Sequence, residues 1–246
     1  MCPYTRRLFQ AFAGCLLLAG VGCASLGSLP AYRAHPEFDT RSRQIHKAGV
    51  LSPDIKIYEL TTGGVREMRD DWCKTGKENV ARAAGDCIRE RLVEVQIIPI
   101  DKETEEELED ILALYRAVSS SIISYTYGDY KFPEKVKKFE YSVGPIDSFL
   151  KRWGSDVLVV ITGSDEISSS GRKALTAAAV VISALMGVVM VPGGGLTVVS
   201  AGVVDPSGDI LWYNVKGSHG GYDLRNPEST KKLLMSIFSD FPGLKK

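Results

Sequence analysis

The sequence predicts an α/β domain: a mixed sheet flanked by helices and interrupted by an apolar insertion at about residues 172–195. Three observations predict it. Strand-like and helix-like hydrophobic periods alternate along the chain, and the unbroken apolar run Val157–Ile161 reads as a strand buried on both faces. The stretch "GVVDPSGDILWYNV" reads as two antiparallel strands joined by the turn Asp205-Pro206-Ser207-Gly208.

Taken in order, "SPDIKIYELTT" alternates at Ile55, Ile57 and Glu59 between Pro53 and the Gly63-Gly64 pair, which is a strand signal. Trp72 to Leu92 carries Trp72, Val80, Ala84, Ile88 and Leu92 at spacings of four or eight, which is helical. "VEVQIIPI" is rich in β-branched residues and gives the next strand. Thr104 and Glu107 then form a capping-box spacing, and Leu108, Ile111, Leu112, Tyr115, Val118 and Ile122 make one apolar stripe behind an acidic first turn. Pro145 at a first helical position, the apolar face Ile146, Phe149, Leu150 and Trp153, and the stop at Gly154 define a short helix. At the C-terminus Asn226 caps a helix with Pro227 at its first position and with Leu233, Leu234, Ile237, Phe238 and Phe241 facing inward. The predicted order is β-α-β-α-(β)-α-β-insertion-β-β-α, with the parenthetical strand before the Pro145 helix.

The first residues are an address. Arg6 and Arg7 precede an apolar run, Leu8 to Val21, that is shorter than the ~20 residues needed to span a bilayer, and together they read as a secretory signal. The run ends Gly20-Val21-Gly22-Cys23, which resembles the lipobox of bacterial lipoproteins; the resemblance implies cleavage before Cys23 and acylation of its sulfur and new amino group. Cys15 also follows a small residue, but most of the apolar run lies after it. The alternative is a buried N-terminal helix ending at a free thiol. Ala24 is not the aspartate that resembles an inner-membrane retention signal, so outer-membrane sorting, facing the periplasm, is expected. Residues 23–46 hold Gly27, two prolines and no sustained period, and are expected to tether lipid to domain with an r.m.s. reach of roughly 27 Å. The domain itself is expected over residues 47–246.

Removal of residues 1–22 leaves 28 basic and 30 acidic side chains and no basic block, so nucleic acid is not an expected partner. Two cysteines then remain beside Cys23. An oxidising periplasm would permit a Cys73–Cys87 disulfide, but in one continuous helix their 14-residue separation spans about 21 Å against the ~5.5 Å a bridge needs, so a break at Thr75-Gly76 would be required.

Catalytic patterns are sparse. His35 and His46 fall in the expected tether, leaving His219 in "KGSHGGYDLRN". A hydrolase would join it to a serine of the 164–170 loop, Ser164 to Ser170, and to Asp165 or Asp223, but there is no Gly-x-Ser-x-Gly elbow. No Cys or His pair has metal-finger spacing, and the acidic "DKETEEELED" lacks an EF-hand loop and reads as a helix start. Gly193-Gly194-Gly195 matches neither a phosphate loop nor a dinucleotide turn. The expectation is no enzyme, no metal and no cofactor beyond a covalent lipid on Cys23.

Ala174 to Val204 carries no charge, directly after Arg172 and Lys173. Three readings stand. The segment is a core or partly covered helix over 174–190 followed by a buried strand over 196–204; or it leaves the domain and buries Val180, Val181, Ile182, Leu185, Met186, Val189 and Met190 against another copy; or it inserts in lipid. Membrane-barrel strands are disfavoured, because Ala177 to Ile182 do not alternate apolar and polar.

The element order, "GSDVLVVITG" with Asp156 opening the strand, and the Asp205-x-x-Gly208 turn before a strand containing Trp212 resemble a group of Gram-negative envelope lipoproteins. Their domain looks like the amino-terminal domain of TolB, shared by the curli secretion lipoprotein and by penicillin-binding-protein activator lipoproteins. The resemblance spans about 50 to 240. It implies an outer-membrane lipoprotein that binds an envelope protein partner as an accessory of secretion or cell-wall machinery, with self-association through the uncharged segment.

Overall fold

The unbroken apolar run at Val157 lies at the centre of the molecule, buried from two sides. The computed structural model describes residues 32–90, 94–99, 105–128, 131–185 and 195–241. Its strands are β1 Arg33–Ala34, β2 Lys47–Leu51, β3 Asp54–Leu60, β4 Arg66–Met68, β5 Glu94–Ile98, β6 Val157–Ser168, β7 Leu196–Val204 and β8 Ile210–His219. Its helices are α1 Phe38–Arg41, α2 Asp70–Arg89, α3 Glu105–Ile122, α4 Pro133–Lys137, α5 Asp147–Trp153, α6 Ser170–Leu185 and α7 Pro227–Phe238. They build the mixed α/β sheet that the sequence predicts, in the order β1-β8-β7-β6-β2-β5.

β2 and β3 run along the same edge of β6, both parallel to it, with partners Ala48 to Val157 and Asp54 to Thr162. The pairing slips by one residue between them, at Ser52-Pro53, where proline has no N–H for the ladder. β7 and β8 follow antiparallel, joined by the turn whose Gly208, at φ +86, leaves no room for a Cβ beside the Gly144 carbonyl.

Alternation along β6 sends Val157, Val159 and Ile161 to one face and Leu158 and Val160 to the other. The first face is covered by α2, through Val80, Ala84 and Ile88, and by α7, through Leu233, Leu234, Ile237 and Phe238. The second is covered by α3, through Leu108, Leu112 and Tyr115, and by α5, through Phe149 and Leu150. The expected caps hold: Asn226 Oδ1 accepts the Ser229 N–H at 3.0 Å, and Gly154 ends α5 at φ +55. α5 starts two residues after Pro145, because the Ile146 N–H donates to the Pro206 carbonyl and ties the helix start to the hairpin turn. α2 continues through Gly76, whose missing Cβ admits Ile57, so Cys73 and Cys87 are separate buried thiols.

The expected tether is corrected. From Tyr32 onward the chain belongs to the domain: β1 pairs with Trp212 and Tyr213, Phe38 and Ile45 are buried, and His35 is buried as well. Phe38 meets the Phe241 ring edge-on at 6.4 Å, filling a corner of the first face that α7 leaves open. Arg41 fastens this segment, donating to Asp205 and Asp209 at 2.8 Å each. β2 is a strand the sequence does not announce, since Lys47–Leu51 neither alternates nor carries a turn signal on its N-terminal side.

Candidate interaction surface at the far end of the sheet

β6 has two unlike halves. Up to Ile161 it is buried on both faces, whereas from Thr162 to Ser168 it is polar and supported on one. On the supported face Asp165 is fully buried; its carboxylate accepts the Thr197 hydroxyl at 2.7 Å and the Leu224 N–H at 2.8 Å. Burial raises its pKa, and those two donors only partly offset that. Beside it a cleft of about 370 Å³ is lined by Glu166, Ile167, Lys173, Thr176, Tyr222 and Asp223. Burial of Asp223 is more than offset by the bidentate Arg225 guanidinium, which holds its pKa down and itself lies 4.2 Å over the Trp72 ring.

On the other face Thr162, Ser164, Glu166 and Ser168 are half-buried, with Tyr58, Val198 and Val215 around them. Val215 packs against the α3 cluster and Ser200 beside Thr162 is buried, while Ser164, Glu166 and Ser168 keep partial exposure. α3 reaches as far as the Arg116–Asp54 ion pair at 2.8 Å. Beyond it Arg66 pairs with Glu166 at 2.9 Å and lies over the Tyr58 ring at 4.4 Å.

α6 rises from this end. Ser169 Oγ accepts the Arg172 N–H at 3.2 Å and starts the helix. Lys173, Ala174, Leu175, Ala177 and Ala178 are exposed, Leu175 by 57%, and no charge follows Lys173 in the helix. With Arg172, Thr176 and Ala179 half-buried, the described part of α6 is a partly covered helix, not a core one, and the strand of the same reading is present: Val199, Ala201, Val203 and Val204 on β7 are buried. The side chains of Val180, Val181, Ile182 and Leu185, and all of Met186, Val189 and Met190, lie outside the described residues, as does Cys23.

The residues of the hydrolase reading reach the same end without forming a triad. His219 is exposed at the last position of β8, opposite Leu196, and no serine hydroxyl among the described residues hydrogen-bonds its ring. Asp165 is committed to Thr197 and Leu224, Asp223 to Arg225, and Ser169 to the start of α6. Among the described residues no group of three His, Cys, Asp or Glu side chains is placed to hold a metal ion.

The opposite, near end is closed by charge. Arg41 bridges Glu37, Asp205 and Asp209 along the rim of a cleft of about 500 Å³ that also includes Asp147, Lys151 and Asp156. Asp156 Oδ2 accepts the N–H groups of His46 and Lys47 at 2.8 and 2.9 Å, so the aspartate that opens the apolar strand anchors β2. Arg41 was not legible as an anchor; the fixed Asp205-x-x-Gly208-Asp209 turn was the signal that a cation belongs nearby.

No family model matches the chain, and no curated protein matches it. Among solved structures, a PelC dodecamer from Paraburkholderia phytofirmans is similar at 10% identity and a TM-score of 0.32, over 80% of this chain and 88% of that one, a likeness too low to bear on function.

Proposed function

We propose that this chain is a periplasm-facing outer-membrane lipoprotein, acylated on Cys23, whose TolB-amino-terminal-like domain acts through protein contacts as an accessory of envelope secretion or cell-wall machinery. The observation that carries the reading is α6: a helix with no charge after Lys173 that leaves Ala174, Leu175, Ala177 and Ala178 exposed at the far end of the sheet. A contiguous exposed apolar element marks a contact surface. The lipid supplies location, since each buried methylene of an acyl chain contributes about 0.8 kcal/mol and several chains hold a protein on a membrane almost permanently.

Two experiments test this. Cys23→Ser is expected to leave an unprocessed, unacylated precursor; a variant still cleaved at the same bond and still fractionating with outer membrane contradicts the anchor. Crosslinking in intact cells from a photoreactive residue at Ser164, on the open half-face, is expected to give one reproducible envelope-protein adduct. Turnover of a hydrolase substrate, abolished by His219→Ala, would instead favour the enzyme reading.

A further inference from the structure

A strand at the margin of a sheet presents a row of N–H and C=O groups with no ladder, and natural sheets shorten, charge or cover such edges. Two margins of this sheet follow that rule. β1 is two residues long, and β4 is three residues long with Arg66 and Glu67 both exposed. β5 departs from it. Its five residues pair only with β2 among the described residues, and after Glu94 the strand holds neither charge nor proline.

The side chains of β5 leave both faces incomplete. Val95 packs against the core that α2 covers, and alternation sends Ile97 to the same face, where it is 54% exposed. Gln96 and Ile98 point to the other face. There Ile98 is buried in the core that α3 covers, and Gln96 Oε1 is enclosed without a hydrogen-bond donor. Enclosed acceptors in native structures are satisfied, so this one calls for a donor from outside the strand.

A second copy supplies what the edge lacks. Antiparallel pairing of β5 with itself about Gln96 sets Glu94 opposite Ile98, Val95 opposite Ile97, and Gln96 opposite Gln96 across a two-fold axis. All five residues are then paired, whereas centring the ribbon on Val95 or Ile97 would pair three. Directly opposed Cβ atoms stand about 4.5–5.5 Å apart, which lets the amide N–H of one Gln96 meet the Oε1 of the other. Val95 and Ile97 cover each other on the α2 face. Charge permits the same register: the two Glu94 residues end about 14 Å apart along the ribbon, and each carboxylate keeps its own Lys47 at 3.3 Å.

We infer that β5 is a self-association edge: two copies join antiparallel through Glu94–Ile98, centred on Gln96, into one continuous sheet. The contact lies at the margin of the sheet and leaves the exposed side chains of α6 to an envelope partner. One five-residue ribbon is a small interface, so the dimer is expected to be reversible at micromolar concentrations.

The test is sedimentation equilibrium of the full chain in density-matched neutral detergent at tens of micromolar. A dimer is expected, and Ile97→Lys, which sets a charge at an exposed position inside the edge strand, should weaken it at least about tenfold with circular dichroism unchanged. Register is read separately by mild oxidation. Gln96→Cys is expected to give peptides joined through position 96, and Glu94→Cys to give none joined through position 94, because about 14 Å is too far for a disulfide. A monomeric chain, or a dimer that survives Ile97→Lys, overturns the inference. So does a dimer abolished by Leu175→Lys, which assigns the contact to α6, and so does a dimer that Glu94→Cys crosslinks and Gln96→Cys does not.

Discussion

The near and far halves of β6 are one strand in two environments. From Val157 to Ile161 alternate side chains enter two separate cores, each closed by helices, and the strand needs nothing from outside. From Thr162 to Asp165 the same backbone is paired on both edges, by β3 and β7, and from Glu166 to Ser168 by β3, yet the side chains of Thr162, Ser164, Glu166 and Ser168 stay only half-buried. Ladder hydrogen bonds fix where this half lies and leave its composition free, which is why polar residues and an exposed helix collect there. The near half specifies the fold, and the far half carries the surfaces available for contact.

The largest expected effect breaks the near half. Trp212 is fully buried, stacked on Phe238 at 5.7 Å and edge-on to Phe241 at 4.9 Å. Trp212→Ala is expected to cost about 3–5 kcal/mol in urea unfolding, whereas Ser164→Ala on the open half-face stays within about 0.5 kcal/mol. Comparable losses at the two sites would erase the distinction.

Next comes the latch. Arg41→Ala removes charge-assisted bonds to Asp205 and Asp209 and is expected to cost about 1–3 kcal/mol. Hydrogen exchange at Phe38 and Ile45 should accelerate before that at Leu158. Uniform acceleration would mean that Arg41 supports the whole domain and not one corner of it.

Titration sharpens the contrast, because the two halves hold carboxylates shifted in opposite directions. Burial of Asp209 is outweighed by Arg41 and Ser207, so its folded pKa lies below the ordinary value. The unfolded chain then binds the proton more readily, and the latch's stability, complete at neutral pH, is lost as pH falls through the folded value. Asp165 is raised by burial, so the folded chain binds the proton more readily and stability declines as pH rises from the ordinary carboxylate range through the folded value. Asp209→Asn should flatten the acid loss and Asp165→Asn the decline on rising pH, both read from urea midpoints across pH 3 to 7. The same slope from both variants contradicts the assignment.

The smallest stability effect is at α6. Leu175→Lys, at an exposed position, should move the unfolding free energy by no more than about 0.5 kcal/mol. A larger loss would mean that the helix is part of the core.

Legibility in the sequence followed the same division. The run at Val157–Ile161, the Asp205–Gly208 turn and the Asn226-Pro227 cap are local signals that tertiary structure only confirms. β1 and α1 were not legible, since two-residue and four-residue elements exist through their partners, Trp212 for the strand and Phe241 for Phe38. The far half of β6 escaped for a related reason: Thr162, Gly163, Ser164 and Asp165 have the composition of a loop and are held extended by ladders on both sides. The uncharged run stands out as a contact surface by composition alone.

That the far end of the sheet is the contact surface is the central claim, and photocrosslinking in intact cells measures it most directly. The chain would carry one photoreactive residue, either at Leu175 on α6 or at Ser207 on the near turn, both exposed. The account predicts a reproducible protein adduct from Leu175 and none from Ser207. Adducts of equal yield from both positions, or from Ser207 alone, would contradict it.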